Sequence, residues 1–305
     1  MTRRSTFARL AAVAACTLAL LGAAPMRAAA PPCGIVAVQI PLAGGILHFS
    51  RAGQGPAVLL LHGLFAQKEQ WHDLACALSA AGFAAIAPDL PGFGRSDGFA
   101  VTDYALDRQV ALLDGLADAL GLARFALAGN SMGGAIAALY AARHPERVGH
   151  LAFIGAPLGW VDWGPGLRQA ILEGVNPFIP VDRAQLAREM DLLFAEPPAL
   201  PEALADQLVA DYRARRDHYR QVWDIVGLFD RVLADGALAA LDQGLSLLIL
   251  WGEADAIFPV AGAASLHARL PQGRLVVLPQ SGHLPMLERP AETAAALIEL
   301  LAGSD

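Results

Sequence analysis

Gly129-Asn130-Ser131-Met132-Gly133 lies between the apolar run Phe125-Ala126-Leu127-Ala128 and an alanine-rich stretch from Gly134 to Arg143. A buried strand that runs straight into a helix leaves one residue at the apex of a sharp turn. There φ turns positive and the side chain stands clear of the backbone. Glycines two before and two after the apex let strand and helix approach without Cβ clashes. Ser131 occupies the apex, and its hydroxyl would stand at the N-terminus of the following helix, where backbone N–H groups favour a developing negative charge. The pattern therefore predicts a serine nucleophile on a strand–turn–helix unit.

On either side of that unit, strands and helices alternate. Val36–Ile40 and Ile46–Ser50 flank Ala43-Gly44-Gly45 and read as a hairpin. Ala57–Leu61, Phe83–Ala87, Val148–Ile154, Leu245–Trp251 and Leu275–Leu278 are short, almost purely apolar runs. Such runs mark strands covered on both faces. Helical patterns fill Lys68–Ala81, Thr102–Leu120, Val260–Leu270 and Ala291–Leu301. The alternation predicts an α/β chain with a mostly parallel, doubly wound sheet. It breaks between residues 157 and 244, which are helical, proline-punctuated and rich in aromatics. The expected organisation is a core of residues 31–156 and 245–305 with a helical cap inserted at 157–244.

A serine hydroxyl needs a base within hydrogen-bond reach. Among eight histidines, His283 lies in Gln280-Ser281-Gly282-His283, just after the last strand, where parallel sheets place ligand-facing residues. His144, His150, His218 and His267 sit at helix ends, a strand start or exposed helix positions, where a structural role is the expectation. The base must itself be oriented by a carboxylate. Asp255 follows the penultimate strand in Gly252-Glu253-Ala254-Asp255 and is favoured; Glu253, Asp230 and Asp242 are the alternatives. Gly63, in His62-Gly63-Leu64-Phe65, permits a turn after the third strand. The N–H groups of Leu64 and Met132 would then face the reacting centre as an oxyanion hole, with His62 ordering the loop.

The acidic balance (net charge −7) and the lack of basic runs argue against nucleic acid or an anionic membrane as partner. No Walker A run, H-E-x-x-H or paired C-x-x-C is present, so no cofactor and no metal are expected. Residues 1–30 read as a secretory signal: Arg3, Arg4 and Arg9, an uncharged run from Leu10 to Ala24, then small residues near Ala28-Ala29-Ala30. The expectation is an exported protein, periplasmic or secreted. Without that segment 18 basic residues face 29 acidic ones. Cys33 and Cys76 would meet an oxidising compartment, but their spacing leaves pairing open.

Leu61-His62-Gly63-Leu64-Phe65, Asp89-Leu90-Pro91-Gly92-Phe93-Gly94-Arg95-Ser96, Gly129–Gly134, Trp251–Asp255 and Gly282-His283 together resemble the α/β-hydrolase superfamily. Lys68-x-x-Trp71 and Leu287-Glu288-Arg289-Pro290 are similar to the branch of bacterial lipases and monoacylglycerol-lipase-like esterases. The resemblance implies carboxylic ester hydrolysis, with Ser131, Asp255 and His283 matching the family's triad. Partners would be a small ester or an acylglycerol, with a lipid interface compatible. Two other readings stand beside it: hydrolysis of a carbon–carbon bond in meta-cleavage products, and a catalytically silent binding module on the same scaffold. For an ester pocket, Phe65, Trp160, Trp223 and Phe229 are the candidate lining residues.

Overall fold

A computed structural model describes residues 33–96, 98–227, 236–241 and 244–303; residues 1–30, expected from the sequence to be a secretory signal, lie outside them. Eight strands form one sheet in the order β1-β2-β4-β3-β5-β6-β7-β8. They are β1 Val36–Leu42, β2 Gly45–Ala52, β3 Ala57–Leu61, β4 Ala84–Pro88, β5 Phe125–Ser131, β6 Val148–Pro157, β7 Ser246–Gly252 and β8 Arg274–Leu278. The β1–β2 and β2–β4 pairings are antiparallel, and every other pairing is parallel. The doubly wound α/β architecture expected from the sequence is the one observed.

The apolar runs fold as strands because both faces of the sheet are covered. Leu59 and Leu61 of β3 join one hydrophobic cluster, while Val58 and Leu60 join the other. The first cluster takes in helices α2 (Leu106–Ala119) and α3 (Met132–Arg143), and the second takes in α1 (His72–Ala80). Alternate side chains of one strand thus feed two cores. Each fully buried leucine contributes about 2 kcal/mol. The hairpin strand β1, at the sheet's edge, is mostly exposed.

The predicted helix at Lys68–Ala81 is instead a 3₁₀ turn, Lys68–Trp71, followed by α1. The tighter turn accompanies the burial of Lys68 and Trp71. Among the described residues between β6 and β7 run four α-helices: α4 (Pro165–Leu172), α5 (Arg183–Leu193), α6 (Glu202–Ala214) and α7 (Arg216–Gly227). Helix α5 starts at Asp182, whose side chain accepts from Gln185 N at 2.8 Å, while Gln185 Oε1 accepts from Val181 N at 3.0 Å. The first bond satisfies one of the donors that a helix start leaves open, and the second ties the residue before the cap to the first turn. After β7 come α8 (Ala261–Arg269), the short α9 (Pro285–Glu288) and α10 (Pro290–Ala302).

Candidate active site

Strand β5 ends at Ser131 and α3 begins at Met132, so the serine is the junction itself. Its backbone has φ 52° and ψ −114°. For a residue with a Cβ this costs on the order of 1–3 kcal/mol and persists only where the surroundings impose it. They do so through Gly133, where an added Cβ would lie only 2.6 Å from His62 O and even nearer to Leu61 O. Only a glycine lets α3 start this close to the end of β3. Two further non-glycine residues have positive φ among the described residues, Phe65 (57°) and Gln280 (52°). One lies in the loop after β3 and the other in the loop that carries His283, so each of three loops meeting at Ser131 holds one strained residue.

His283 is buried, and its Nδ1 lies 2.8 Å from Asp255 Oδ2. The other oxygen of Asp255 accepts from Ile257 N and Phe258 N, both at 2.9 Å. The carboxylate is therefore held by two backbone donors while it grips the imidazole. Glu253, the alternative in the same loop, is exposed, and Asp230 and Asp242 lie outside the described residues. The remaining histidines are placed elsewhere. His144 stacks on Tyr140 at 4.6 Å, and His218 Nε2 hydrogen-bonds Gly92 O at 2.6 Å.

The loop after β3 packs directly on the elbow. A Cβ on Gly63 would meet Asn130 Oδ1 at 2.8 Å and the Ser131 Cβ at 3.3 Å. His62 is wholly buried; its Nε2 accepts from Leu90 N at 2.9 Å and its Nδ1 donates to Gly63 O at 2.8 Å. One nitrogen accepts a backbone proton, so the other must carry the ring's hydrogen, and the neutral tautomer is fixed. Desolvation by burial lowers its pKa to about 4. Asp89, also wholly buried, takes Lys68 N at 2.9 Å, Lys68 Nζ at 2.7 Å and Arg95 N at 3.1 Å. Burial opposes the Lys68 charge, yet Asp89 and Glu69 outweigh it and raise the pKa of the ammonium. The Asp89–Ser96 segment is thus a buckle that fixes the loop bearing Leu64. Met132 supplies the first N–H of α3, which by helix geometry has no intrahelical acceptor.

These loops open onto one cavity of ≈ 110 Å³ lined by Leu64, Phe65, Ser131 and His283 together with side chains from α4 to α7 and α9. Trp223 is the centre of its aromatic wall. It lies 5.6 Å from Trp163, 5.9 Å from Phe178 and 6.4 Å from Phe65, the last stacked at 16°. Trp160 is not among the lining residues, a correction to the sequence-based expectation. Its Nε1 donates to Gly262 O at 3.3 Å, which turns the indole toward α8, and Trp163 takes the wall position. Phe229 lies outside the described residues. No group of three or more His, Cys, Asp or Glu that could hold a metal ion occurs among the described residues.

Residues 56–290 match the family model for the alpha/beta hydrolase fold. The chain belongs to the α/β-hydrolase family. This hydrolase is 28% identical over 246 residues to Lipase 3 of Moraxella sp. (strain TA144), which covers 79% of the chain and 75% of that relative. It is 27% identical to a 2-hydroxy-6-oxononadienedioate/2-hydroxy-6-oxononatrienedioate hydrolase of Burkholderia vietnamiensis (strain G4 / LMG 22486), over 84% of the chain and 90% of that protein. A crystal structure described as a membrane phospholipase A, a bacterial virulence factor, matches with a TM-score of 0.75 at 30% identity, over 89% of this chain and 87% of that one.

Three polar residues of the hydrolase's site escape sequence reasoning. Asn130, buried beside the nucleophile, donates from Nδ2 to Ile154 O at 2.8 Å and to His283 O at 3.1 Å, tying the elbow to the histidine loop. Glu288 accepts from Gly282 N at 2.7 Å and Ala195 N at 2.8 Å, clamping that loop to the end of α5. Burial pushes its carboxyl up, against three backbone donors. Glu189 on α5 lines the cavity itself. Asn130 stands inside the elbow motif, a usable signal; Glu189 reads from sequence as one more polar helix residue.

Proposed function

We propose that this α/β hydrolase is a serine hydrolase that cleaves carboxylic esters through an acyl-enzyme on Ser131. The observation that carries the reading is a strained serine at a strand–helix junction sharing one apolar cavity with a histidine already gripped by a carboxylate. Ser131 Oγ attacks the acyl carbon and His283 Nε2 takes its proton, Nδ1 being engaged by Asp255. The N–H groups of Leu64 and Met132 hold the oxyanion, each contributing about 3 kcal/mol to the transition state. His283 then protonates the departing alcohol, and water hydrolyses the acyl-enzyme by the same steps. The aromatic wall around Trp223 takes up apolar chain, at about 0.8 kcal/mol per methylene buried.

The likeness to a dioate hydrolase supports carbon–carbon bond hydrolysis as the second reading. A dianionic substrate calls for a cation in the site. The described lining residues include no lysine or arginine and do include a carboxyl, Glu189, which favours neutral esters. A panel of p-nitrophenyl esters from acetate to decanoate, alongside a 2-hydroxy-6-oxodienoate, tests both. Ester turnover that rises with chain length to at least butyrate is expected; turnover of the dienoate alone would overturn the ester reading. We also propose export. The Cys33–Cys76 disulfide, with Cα atoms 5.2 Å apart, suits an oxidising compartment. Fractionation should find a chain shortened by roughly 28–30 residues outside the cytosol, and full-length protein confined to the cytosol would overturn this.

A further inference from the structure

Other buried carboxylates of the core are well met. Asp89 and Asp255 each accept three hydrogen bonds, and Glu288 accepts from three backbone donors, Ala195 and Gly282 among them. Glu189 differs. It is 3% exposed, and its Oε1 accepts from Tyr212 Oη at 3.0 Å, while Oε2 has no protein partner. On the core side of the same cavity Gln70 is 2% exposed, and its Nε2 has no protein partner either. Several other buried polar atoms among the described residues lack partners, in Thr293, Ser281 and Gln109 for instance. None of those residues lines the cavity; Glu189 and Gln70 both do. An unmet buried polar group costs about 1–3 kcal/mol, a penalty a bound ligand can remove.

We propose that Glu189, steadied by Tyr212, and Gln70 form a polar subsite that recognises a neutral hydroxyl group on the ester substrate. The inference rests on the ester reading above and deepens it. Complementarity decides the ligand's chemistry. Gln70 Nε2 offers only protons, so it needs a lone pair. An ammonium has none and would leave Gln70 unmet. A carboxylate would satisfy Gln70 but be repelled by the ionised form of Glu189. A hydroxyl both donates and accepts, so it suits both groups. Burial also pushes the Glu189 carboxyl up to about 8, partly opposed by the Tyr212 hydrogen bond. Near neutral pH both its forms are therefore accessible, and a hydroxyl, which donates to the carboxylate and accepts from the acid, suits each. The two groups share the cavity with Trp223, Phe178 and Met190, so an unadorned alkyl ester meets apolar walls yet leaves both polar groups unmet.

The hydroxyl can reside on the alcohol or on the acyl chain, and substrate pairs separate the two. The mature protein is given glyceryl monooctanoate, ethyl 3-hydroxyoctanoate, ethyl octanoate and octanoylcholine, and kcat/KM is taken as a ratio to ethyl octanoate. At least one hydroxylated ester should exceed ethyl octanoate by about tenfold, and which one does identifies the source. Glu189→Leu should bring that ratio to within about threefold of unity. Glu189→Gln, which keeps a donor and an acceptor, should preserve it. Gln70→Leu, in the turn Lys68–Trp71 rather than in α5, should lower it too, and it decides the matter if Glu189→Leu does not fold. No preference in the wild type, a preference that survives both leucine variants, or octanoylcholine as the best ester would each overturn the proposal. Hydrolysis of ethyl octanoate with any of those results leaves the ester reading standing. If no ester turns over and a fluorophosphonate leaves Ser131 unlabelled, both readings fall together.

Discussion

His62 offers a quantitative test of how the loop beside Ser131 is held. Its pKa is lowered from 6.5 to about 4 by burial. Between those values the unfolded chain binds a proton that the folded chain refuses, so stability is complete above pH 6.5 and is lost as pH falls. The full difference corresponds to roughly 3 kcal/mol, of which about 2 is lost by pH 5. Replacing His62 by Gln removes the titration. Gln can still accept from Leu90 N but gives up the bond to Gly63 O, a cost of about 1–3 kcal/mol at pH 7.5. The variant should therefore be the less stable protein at pH 7.5, and the gap should narrow by about 2 kcal/mol by pH 5 and about 3 by pH 4. Urea unfolding followed by tryptophan fluorescence, at pH 7.5, 6, 5 and 4 with the disulfide intact, measures both proteins. Taking the difference cancels the titration of every other group. A gap independent of pH, or one that widens in acid, would show that His62 is not the buried neutral hydrogen-bonding bridge described here.

Ser131→Ala should keep the fold, since alanine meets the same backbone demand, and should lower ester turnover by about 10⁶; near-normal turnover would refute the serine mechanism. Gly133→Ala drives a Cβ into the Leu61 and His62 carbonyls and should cost at least about 1–3 kcal/mol in urea unfolding, with activity falling alongside. Trp223→Ala removes the centre of the aromatic wall, so the rise in kcat/KM with acyl length should flatten while acetate turnover falls less; an unchanged profile would move the acyl site elsewhere. Reducing Cys33–Cys76, which closes a loop of sequence separation 43, should cost about 4 kcal/mol in the chain-entropy account, read as a lower midpoint with dithiothreitol.

The sequence by itself determined what depends on neighbours along the chain. Apolar runs such as Ala57–Leu61 specify doubly covered strands because no exposed face could tolerate them. The glycines around Ser131 specify the elbow because only a residue without a Cβ fits there. From the strand order, His283 and Asp255 could be named as loop residues at one sheet edge. Only the tertiary structure decided which carboxylate meets the imidazole, because Glu253 and Asp255 are two residues apart in one loop and the turn exposes the first while burying the second. It decided equally that Trp163 rather than Trp160 faces the cavity, and that Cys33 meets Cys76. Glu189 is the sharpest case. On an amphipathic helix a glutamate reads as a solvated residue, and nothing local distinguishes one that points at water from one that points into a pocket. That distinction is made when α5 docks with its C-terminal carbonyl of Leu193 on His283 N, at 2.9 Å, leaving Glu189 one turn back along the helix and buried against Tyr212. Docking of this kind is the sum of many weak apolar contacts between segments far apart in sequence, and local pattern carries no record of it.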